Sequence, residues 1–254
     1  MVAIAPTPRY SYYLSMGYLL SRMQKPLTIA LLLLSFQLAA SDYTDAVTEI
    51  ERSWAKTYYS ADKGQQHYQY SQLLHRINQM NSTYPDHAEL LIWQAITLAT
   101  RAEQESSFKA LSSIHRAKDL LIKAISINPK AMDGSAFVTL GSLYAMVPGW
   151  PIAFGNDPKA EQSLKKALSI NPQGIDSNYF YGEFLLSHNQ PTKASHFFTK
   201  AINAPIRKTQ EFADTQLKNE ARLGLANANA RKVSGKKGFF TDLFHSAVHA
   251  EITQ

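Results

Sequence analysis

The chain contains no cysteine among its 254 residues. Disulfide bonds, thiol nucleophiles and thiolate metal ligands are therefore excluded. The same absence excludes a lipoprotein anchor, because that lipid is attached to a cysteine just after an export signal. Any export of this chain would leave it without a lipid tether.

Glycine is also sparse, with 11 residues scattered along the chain. No glycine-rich stretch has the spacing of a phosphate-binding loop. His245 and His249 are four residues apart and could share a metal on a helix, but two ligands without a third do not predict a metal site. We therefore expect no metal and no cofactor.

Charge is unevenly distributed along the chain. The total is +6, but residues 1–40 hold three basic residues and no acid, and residues 231–254 hold four basic residues against two acids. Residues 41–230 are left with a net charge of only +1. Nucleic-acid binding by this central part is not predicted, because it lacks the basic surplus that such binding needs.

The N-terminal segment has the layout of a secretory signal peptide. Lys25 precedes the apolar run LTIALLLLSFQLAA at residues 27–40, which ends in small residues. This run is too short for a confident spanning helix, which needs about 20 residues. We predict cleavage after Ala40 and a soluble periplasmic or secreted product; a retained membrane anchor is the alternative. Met23 is the better start, so residues 1–22 are interpreted as an extension.

An internal repeat follows the signal. The repeat begins with an alanine and has a large residue four positions later, a second alanine seven positions after the first, and then a proline. Three strong copies of it are present. The offsets 0, 4 and 7 place three side chains on one helical face, and the proline ends the helix. The copies are Ala117, Leu121, Ala124 and Pro129; Ala160, Leu164, Ala167 and Pro172; and Ala194, Phe198, Ala201 and Pro205.

A matching first helix precedes each of these three copies. Gly182 lies 12 residues before Ala194, with Leu185 three residues later, and the counterparts in earlier repeats are Gly141 with Tyr144 and Ala95 with Leu98. The pattern resembles the tetratricopeptide repeat. It predicts an all-α solenoid of helical hairpins with about four repeats and a closing C-terminal helix. The predicted repeats are 44–85 (degenerate), 88–129, 132–172 and 175–205, within a domain spanning 41–230; an irregular helical bundle is the alternative.

The repeat period slips twice. Ala160 and Ala194 are 34 residues apart, but Ala117 and Ala160 are 43 apart. The excess predicts enlarged turns inside repeats two and three, on the same edge of the solenoid. The earlier insert, with Phe108, Leu111 and Ile114, favours extra helix. The later one is the loop VPGWPIAFGN at residues 147–156, after which Asp157 and Pro158 are predicted as N-cap and first helical residue.

First helices of such a solenoid line its concave face. The expected inward positions are mostly apolar, which suits a hydrophobic ligand or an amphipathic partner helix. We expect the loop at 147–156 to cover one lip of this face; the alternative is that its apolar residues only fill the gap left by the insertion. The candidate ligand- or partner-binding residues are Trp150, Ile152, Phe154, Ile92, Ile96, Val138, Tyr179 and Glu183, with Ala99, Ser142, Ala145 and Leu186 as further inward positions.

A narrower resemblance rests on VPGWPIAFGNDPKAEQSLKKALSINPQGIDSNYFYGEFL and on LKNEARLGLANA at residues 217–228. These segments resemble the T-component proteins associated with TRAP transporters, over roughly residues 88–230. The resemblance implies a helical protein with a central apolar pore or groove, which works beside a periplasmic solute-binding protein for organic acids or hydrophobic solutes. It also implies that Trp150, Phe154 and Tyr179 face the ligand. The characterised type is a lipoprotein, and this chain departs from it in having no cysteine.

The sequence thus predicts a non-enzymatic exported repeat protein that binds a partner protein, a small solute or both. A general envelope scaffold without a small ligand is the alternative function. The tail at 231–254 is basic and aromatic, with Phe240, Leu243 and Phe244 on one helical face beside Lys236 and Lys237. It could cap the last repeat, touch anionic lipid or fold back into the groove.

Overall fold

A computed structural model describes residues 43–230 of the chain. The predicted signal at 1–40 and the tail at 231–254, with His245 and His249, lie outside the described residues. The chain divides into two units, Met1–Ala46 and Val47–Gln254. In the first unit only residues 43–46 are described, and they are helical.

Helices account for every regular element between residues 43 and 230. The prediction of an all-α chain is confirmed for this part. None of its helices is both long enough and apolar enough to cross a membrane. The helices are α1 (43–60), α2 (Lys63–Thr83), α3 (Ala88–Ala102), α4 (Ser107–Ile127), α5 (Ser135–Met146), α6 (Asp157–Ile170), α7 (Ile175–Ser187), α8 (Pro191–Asn203) and α9 (Glu211–Asn229), with a short 3₁₀ turn at Ala131–Gly134 before α5.

The helices pack in a solenoid-like arrangement. Each described helix from α2 onward packs against the next one in the chain, and the tightest pairs are α3 with α4, α5 with α6, and α7 with α8. Alternate helices also touch, so that α3, α5, α7 and α9 form one continuous layer. That layer carries the most apolar helices, whereas α4, α6 and α8 each bury one face.

Small and large side chains alternate where the helices of a pair meet. A Cβ atom on Gly141 of α5 would lie 2.7 Å from Cγ of Leu164 in α6, and one on Gly182 of α7 would lie 2.9 Å from Cε1 of Phe198 in α8. These glycines are therefore needed for close helix approach. The second-helix repeat positions are all buried: Ala117, Leu121, Ala124, Ala160, Leu164, Ala167, Ala194, Phe198 and Ala201.

Prolines follow the ends of all three second helices. Pro129, Pro172 and Pro205 lie two residues after the ends of α4, α6 and α8 respectively. Proline lacks the amide hydrogen that a further turn would need, so the chain turns into the next helix at these points. Of the first-helix positions, Leu185 is buried and Tyr144 is partly buried.

The start of α6 differs by one residue from the prediction. The N-cap is Asn156, whose side-chain oxygen accepts a 2.9 Å hydrogen bond from the backbone N–H of Lys159, and Asp157 is the first helical residue. Asp157 lies one residue too far along the chain to cap that amide. Its carboxylate lies 3.1 Å from Nε2 of His188 instead.

The two insertions take different forms. The first lengthens α4 at its N-terminal end, and only residues 103–106 separate it from α3, so the expectation of an enlarged turn is wrong there while the expectation of extra helix is confirmed. The second is the irregular loop 147–156. Its Phe154 packs edge-on against His115, the residue that follows the first insert, with ring centroids 5.0 Å apart. The second insertion therefore contacts α4 directly after the first one.

Helix α1 joins the two ends of the solenoid. Trp54 packs against Trp93 of α3 with ring centroids 5.9 Å apart, while Tyr59 packs edge-on against Phe212 of α9 at 6.1 Å. Glu51 accepts a 2.6 Å hydrogen bond from Gln210, just before α9. We call the Tyr59–Phe212 and Glu51–Gln210 pairs the closure contact. Because of it, helices α1, α3, α5, α7 and α9 surround a common interior.

Candidate ligand cavity

A cavity of about 330 Å³ lies in this interior. We call it the inner cavity. Its volume is within the range of small-molecule sites, which begins at roughly 300 Å³. The residues that line it come from α1, α3, the 3₁₀ turn, α5, α7, the α8–α9 connection and α9: Glu51, Trp54, Tyr59, Trp93, Ile96, Met132, Asp133, Ser135, Val138, Thr139, Asp176, Phe180, Arg207, Thr209, Gln210, Ala213, Asp214 and Leu217.

Four of the residues that line the inner cavity are aromatic: Trp54, Tyr59, Trp93 and Phe180. The indole N–H of Trp54 donates a 3.2 Å hydrogen bond to Oγ1 of Thr100. The indole N–H of Trp93 is buried and has no hydrogen-bond partner. Buried donors are nearly always paired, so this one is an exception, but its nitrogen has almost no accessible surface and is not open to a ligand in the cavity.

An ion-pair network lies beside these aromatic walls. Nη2 of Arg207 is 2.5 Å from Oδ1 of Asp214 and 2.9 Å from Oδ2 of Asp176. The backbone N–H of Arg207 donates a further 2.7 Å hydrogen bond to Asp214. Burial alone would lower the pKa of Arg207, but the carboxylates of Asp176, Asp214 and Glu51 raise it above its ordinary value. The guanidinium therefore stays charged and holds the α8–α9 connection against α7 and α9.

Glu51 is the acid at the junction of α1 and the α8–α9 connection. Its side chain is buried, and its Oε2 accepts the hydrogen bond from Gln210. Burial raises the pKa of Glu51 to about 7; the Gln210 hydrogen bond and the charge of Arg207 oppose this rise without cancelling it. The carboxyl group therefore changes charge near neutral pH.

A second acid, Glu220 of α9, is partly buried beside Tyr179 of α7. Burial raises the pKa of Glu220 to about 7, and a hydrogen bond from Tyr179 opposes the rise. Oε2 of Glu220 is buried and has no hydrogen-bond partner. Burial also raises the pKa values of Tyr59 and Tyr179 above their ordinary range, so both phenols remain neutral donors.

A wider and more open groove lies on the other side of Gln210. This outer groove has a volume of about 730 Å³ and shares Glu51, Thr209, Gln210 and Ala213 with the inner cavity. Its walls carry the basic side chains of Arg52, Lys56 and Lys208 together with Glu211. The outer groove is therefore more basic than the inner cavity.

Two of the residues expected on the concave face line the inner cavity: Ile96 and Val138. Ile92 and Tyr179 are fully buried and do not line it. Tyr179 packs against Phe180 and Phe198 in the core. Of the others, Ala99, Ser142 and Leu186 are buried, and Ala145 and Glu183 are partly buried.

The loop residues are placed differently from the expectation. Trp150 and Ile152 are 89% and 58% exposed, so they do not pack over a lip of the concave face. Phe154 alone is held, between His115 and Tyr144, with the ammonium of Lys118 4.8 Å from its ring centroid. None of the three lines the inner cavity. The physical reason is that Phe154 fills the space between α4 and the C-terminal end of α5, which leaves Trp150 and Ile152 on the outside of the loop.

Most residues that line the inner cavity are not repeat positions, so the repeat pattern does not predict them. Asp176 lies in the first turn of α7, whose N-cap is Gly174, and pairs with Arg207. Arg207 lies in the irregular connection between α8 and α9, and tertiary packing determines which side chains it pairs with. Arg207 and the three acids that interact with it come from three separate segments of the chain, so local spacing could not have grouped them. The acids are Glu51, Asp176 and Asp214. The aromatic richness of α1 was the one available signal.

Within residues 43–230 no group of three or more histidine, aspartate or glutamate side chains could hold a metal ion. No protein-family model matches the sequence, and no curated protein is similar to it.

Proposed function

We propose that this protein is a non-enzymatic tetratricopeptide-type repeat protein that binds a small, largely apolar solute in the inner cavity. On the resemblance to T-component proteins, it would do so after export and as an accessory to a TRAP-type transporter, beside a solute-binding protein. The observation that carries the proposal is the inner cavity itself, with four aromatic residues on its walls.

The repeat assignment has independent support from helix packing. The alanines at repeat positions are buried, and Gly141 and Gly182 lie where a side chain would strike the partner helix. The helix pairs α3–α4, α5–α6 and α7–α8 coincide with the predicted repeats 88–129, 132–172 and 175–205. Such repeats build a surface from stacked hairpins.

The chain offers a direct optical test of solute binding. It has three tryptophans, Trp54 and Trp93 on the cavity walls and Trp150 on the exposed loop. A Trp150→Phe variant of the full chain removes the exposed fluorophore, so its emission reports on the cavity. We expect apolar solutes to shift this emission, and native mass spectrometry of the exported protein to show a co-purified small molecule.

A cavity-filling variant provides the matched control. Ala213→Phe on α9 places a ring at the cavity wall, whereas Ala226→Phe places the same ring on an exposed part of the same helix. We expect Ala213→Phe alone to abolish the bound mass and the emission shift. A clean apo mass together with no response to any solute would favour the envelope scaffold instead.

A second candidate function, docking of a partner protein, is favoured by the exposed side chains of the two insertions. Phe108 of α4 is 85% exposed, and Trp150 and Ile152 lie on the loop that contacts α4. Exposed aromatic side chains lower the solubility of a protein, and they are common in protein interfaces. A photo-crosslinking residue at position 150 should then trap a protein in cells, while the same residue at exposed Leu223 of α9 should not. Equal trapping at both positions would reject a specific interface.

A further inference from the structure

The charges around the inner cavity do not suit an organic anion. Four acids line it, namely Glu51, Asp133, Asp176 and Asp214, against a single basic residue, Arg207. Arg207 is already engaged by Asp214 and Asp176. With Glu51 protonated, three carboxylates still face one guanidinium. An incoming carboxylate would therefore meet repulsion without an uncommitted cation to offset it.

Helix dipoles do not reverse this balance. Helices α5, α7 and α9 begin at the side of the cavity where the acids lie. The N-terminal end of each helix contributes at most about half a positive charge. Asp176 and Asp214 lie in the first turns of α7 and α9 and offset those ends directly. The remaining field is negative, and it becomes more so when Glu51 ionises.

One of the acids has no cationic partner. Asp133 is exposed and makes no ion pair or side-chain hydrogen bond among residues 43–230. Asp133 lies in the 3₁₀ turn with a positive φ of 56°, and Gly134 follows it at φ 85°. Since Asp133 is both exposed and part of the lining, it marks the mouth of the cavity.

Aromatic rings add a second, independent preference. Trp54, Tyr59, Trp93 and Phe180 all line the same cavity. Aromatic faces attract ammonium groups by about 0.5–2 kcal/mol, and sites that bind alkylated ammonium groups are commonly built from several such rings. Acidic groups at the mouth and rings along the walls together fit a ligand with a cationic head and an apolar body.

We propose that the inner cavity takes an organic cation, an ammonium group carried by an apolar body, rather than the organic acid that the family resemblance implies. The inference rests on the proposed solute-binding function and narrows its ligand class. The ammonium group lies near Asp133 at the mouth of the cavity, and the apolar body packs against Trp93, Phe180 and Val138. Glu51 adds a further negative charge above neutral pH.

The test uses three probes that share one body and differ in the head group: phenylbutylamine, phenylbutanol and phenylbutyrate. Each is titrated into the full-length Trp150→Phe chain at about pH 8, where Glu51 is mostly ionised and the amine is still protonated. We expect the amine to bind about tenfold more tightly than the alcohol, and the carboxylate to bind most weakly. The alcohol serves as the reference for the apolar body alone.

Asp133→Asn removes the charge at the mouth and keeps a residue type that tolerates a positive φ, so the fold should be retained. We expect about a fivefold loss of amine affinity with the alcohol unchanged. The control is Asp119→Asn, at an exposed position of α4 that does not line the cavity. Neither probe should respond to it.

The outcomes separate this inference from the proposed function. If the alcohol binds but the carboxylate binds as tightly as the amine, the cavity binds solutes and the cation preference is wrong. The same conclusion follows if Asp133→Asn leaves the amine affinity unchanged. If a carboxylate binds and is lost on Lys208→Ala, the anion occupies the outer groove. If no probe binds and no mass co-purifies, solute binding and the cation preference both fail.

Discussion

Oε2 of Glu51 accepts a 2.6 Å hydrogen bond from Nε2 of Gln210, although the two residues are 159 positions apart in the sequence. This pair joins α1 to the connection that leads into α9. It lies between the inner cavity and the outer groove and is shared by both. The chemistry of Glu51 therefore acts on the fold and on the cavity together.

Glu51 should make the stability of the protein depend on pH. Burial raises its pKa from 4.5 to about 7, so the folded state holds a proton that the unfolded state releases between these values. The resulting stabilisation is fully present below about pH 4.5 and is lost as the pH rises through about 7. Its size is up to about 3 kcal/mol. Urea unfolding of the Glu51→Gln variant between these pH values should show a flatter profile than the parent.

Other charged groups near Glu51 also affect how the free energy of unfolding depends on pH. The charged groups that face it are Arg207, Asp176 and Asp214 across the cavity and Arg52, Lys56, Lys208 and Glu211 around the outer groove. Glu220 has a raised pKa for the same reason and should leave a residual slope. Glu49→Gln, at an exposed position of α1, is the control and should not change the profile. An unchanged slope in Glu51→Gln would show that Glu51 is solvated in the folded state.

Arg207→Ala should be strongly destabilising. The carboxylate of Asp214 is almost fully buried and pairs with Arg207 through both oxygens. Removing the guanidinium leaves a buried charge without compensation, at a cost of about 3 kcal/mol. Chemical denaturation measures this loss. Lys165→Ala breaks the exposed pair with Glu161 and should change stability little, because surface pairs contribute little.

Gly141→Ala should destabilise the protein by about 1–2 kcal/mol despite the better helix propensity of alanine. The added methyl group would lie 2.7 Å from Cγ of Leu164 and 3.1 Å from the carbonyl oxygen of Ala160. Gly64→Ala in α2 is the matched control, since nothing lies within 4 Å of its Cβ position. It should stabilise the fold by about 0.5–1 kcal/mol. Thermal unfolding of both variants tests whether α5 and α6 approach as closely as the structure shows.

The loop residues should separate into two groups. Phe154→Ala should cost about 1–3 kcal/mol, because its ring contacts His115, Tyr144 and Lys118. Trp150→Ala should leave the free energy of unfolding nearly unchanged, because that side chain is exposed. Similar losses in both variants would mean that Trp150 also packs against the helices, as the sequence had suggested.

The sequence predicted the helices well because their pattern is local. Ala160, Leu164 and Ala167 lie on one face of a single helix, and Pro172 ends the turn that follows, so spacing alone located α6 and its neighbours. The inward positions were harder to predict. Ile96 and Val138 line the inner cavity while Ile92 and Tyr179 do not, because the tilt of each helix is set by its partners.

The loop and the closure contact could not be predicted from spacing. Phe154 packs inward and Trp150 outward, although both are large aromatic residues in one decapeptide, and the difference depends on the position of His115 in another helix. Glu51 and Gln210 meet only because the superhelical turn brings α1 round to α9. No local pattern contains the angle between successive helix pairs.

The contact between α1 and α9 changes how this solenoid should unfold. In an open repeat array each unit touches only its neighbours, so the terminal units fray first and the rest can follow one by one. Here the first and last helices hold each other through Tyr59 with Phe212 and Glu51 with Gln210. Neither end is free to detach alone, and hydrogen exchange in α1 and α9 should be slowed together and accelerated together when either pair is broken.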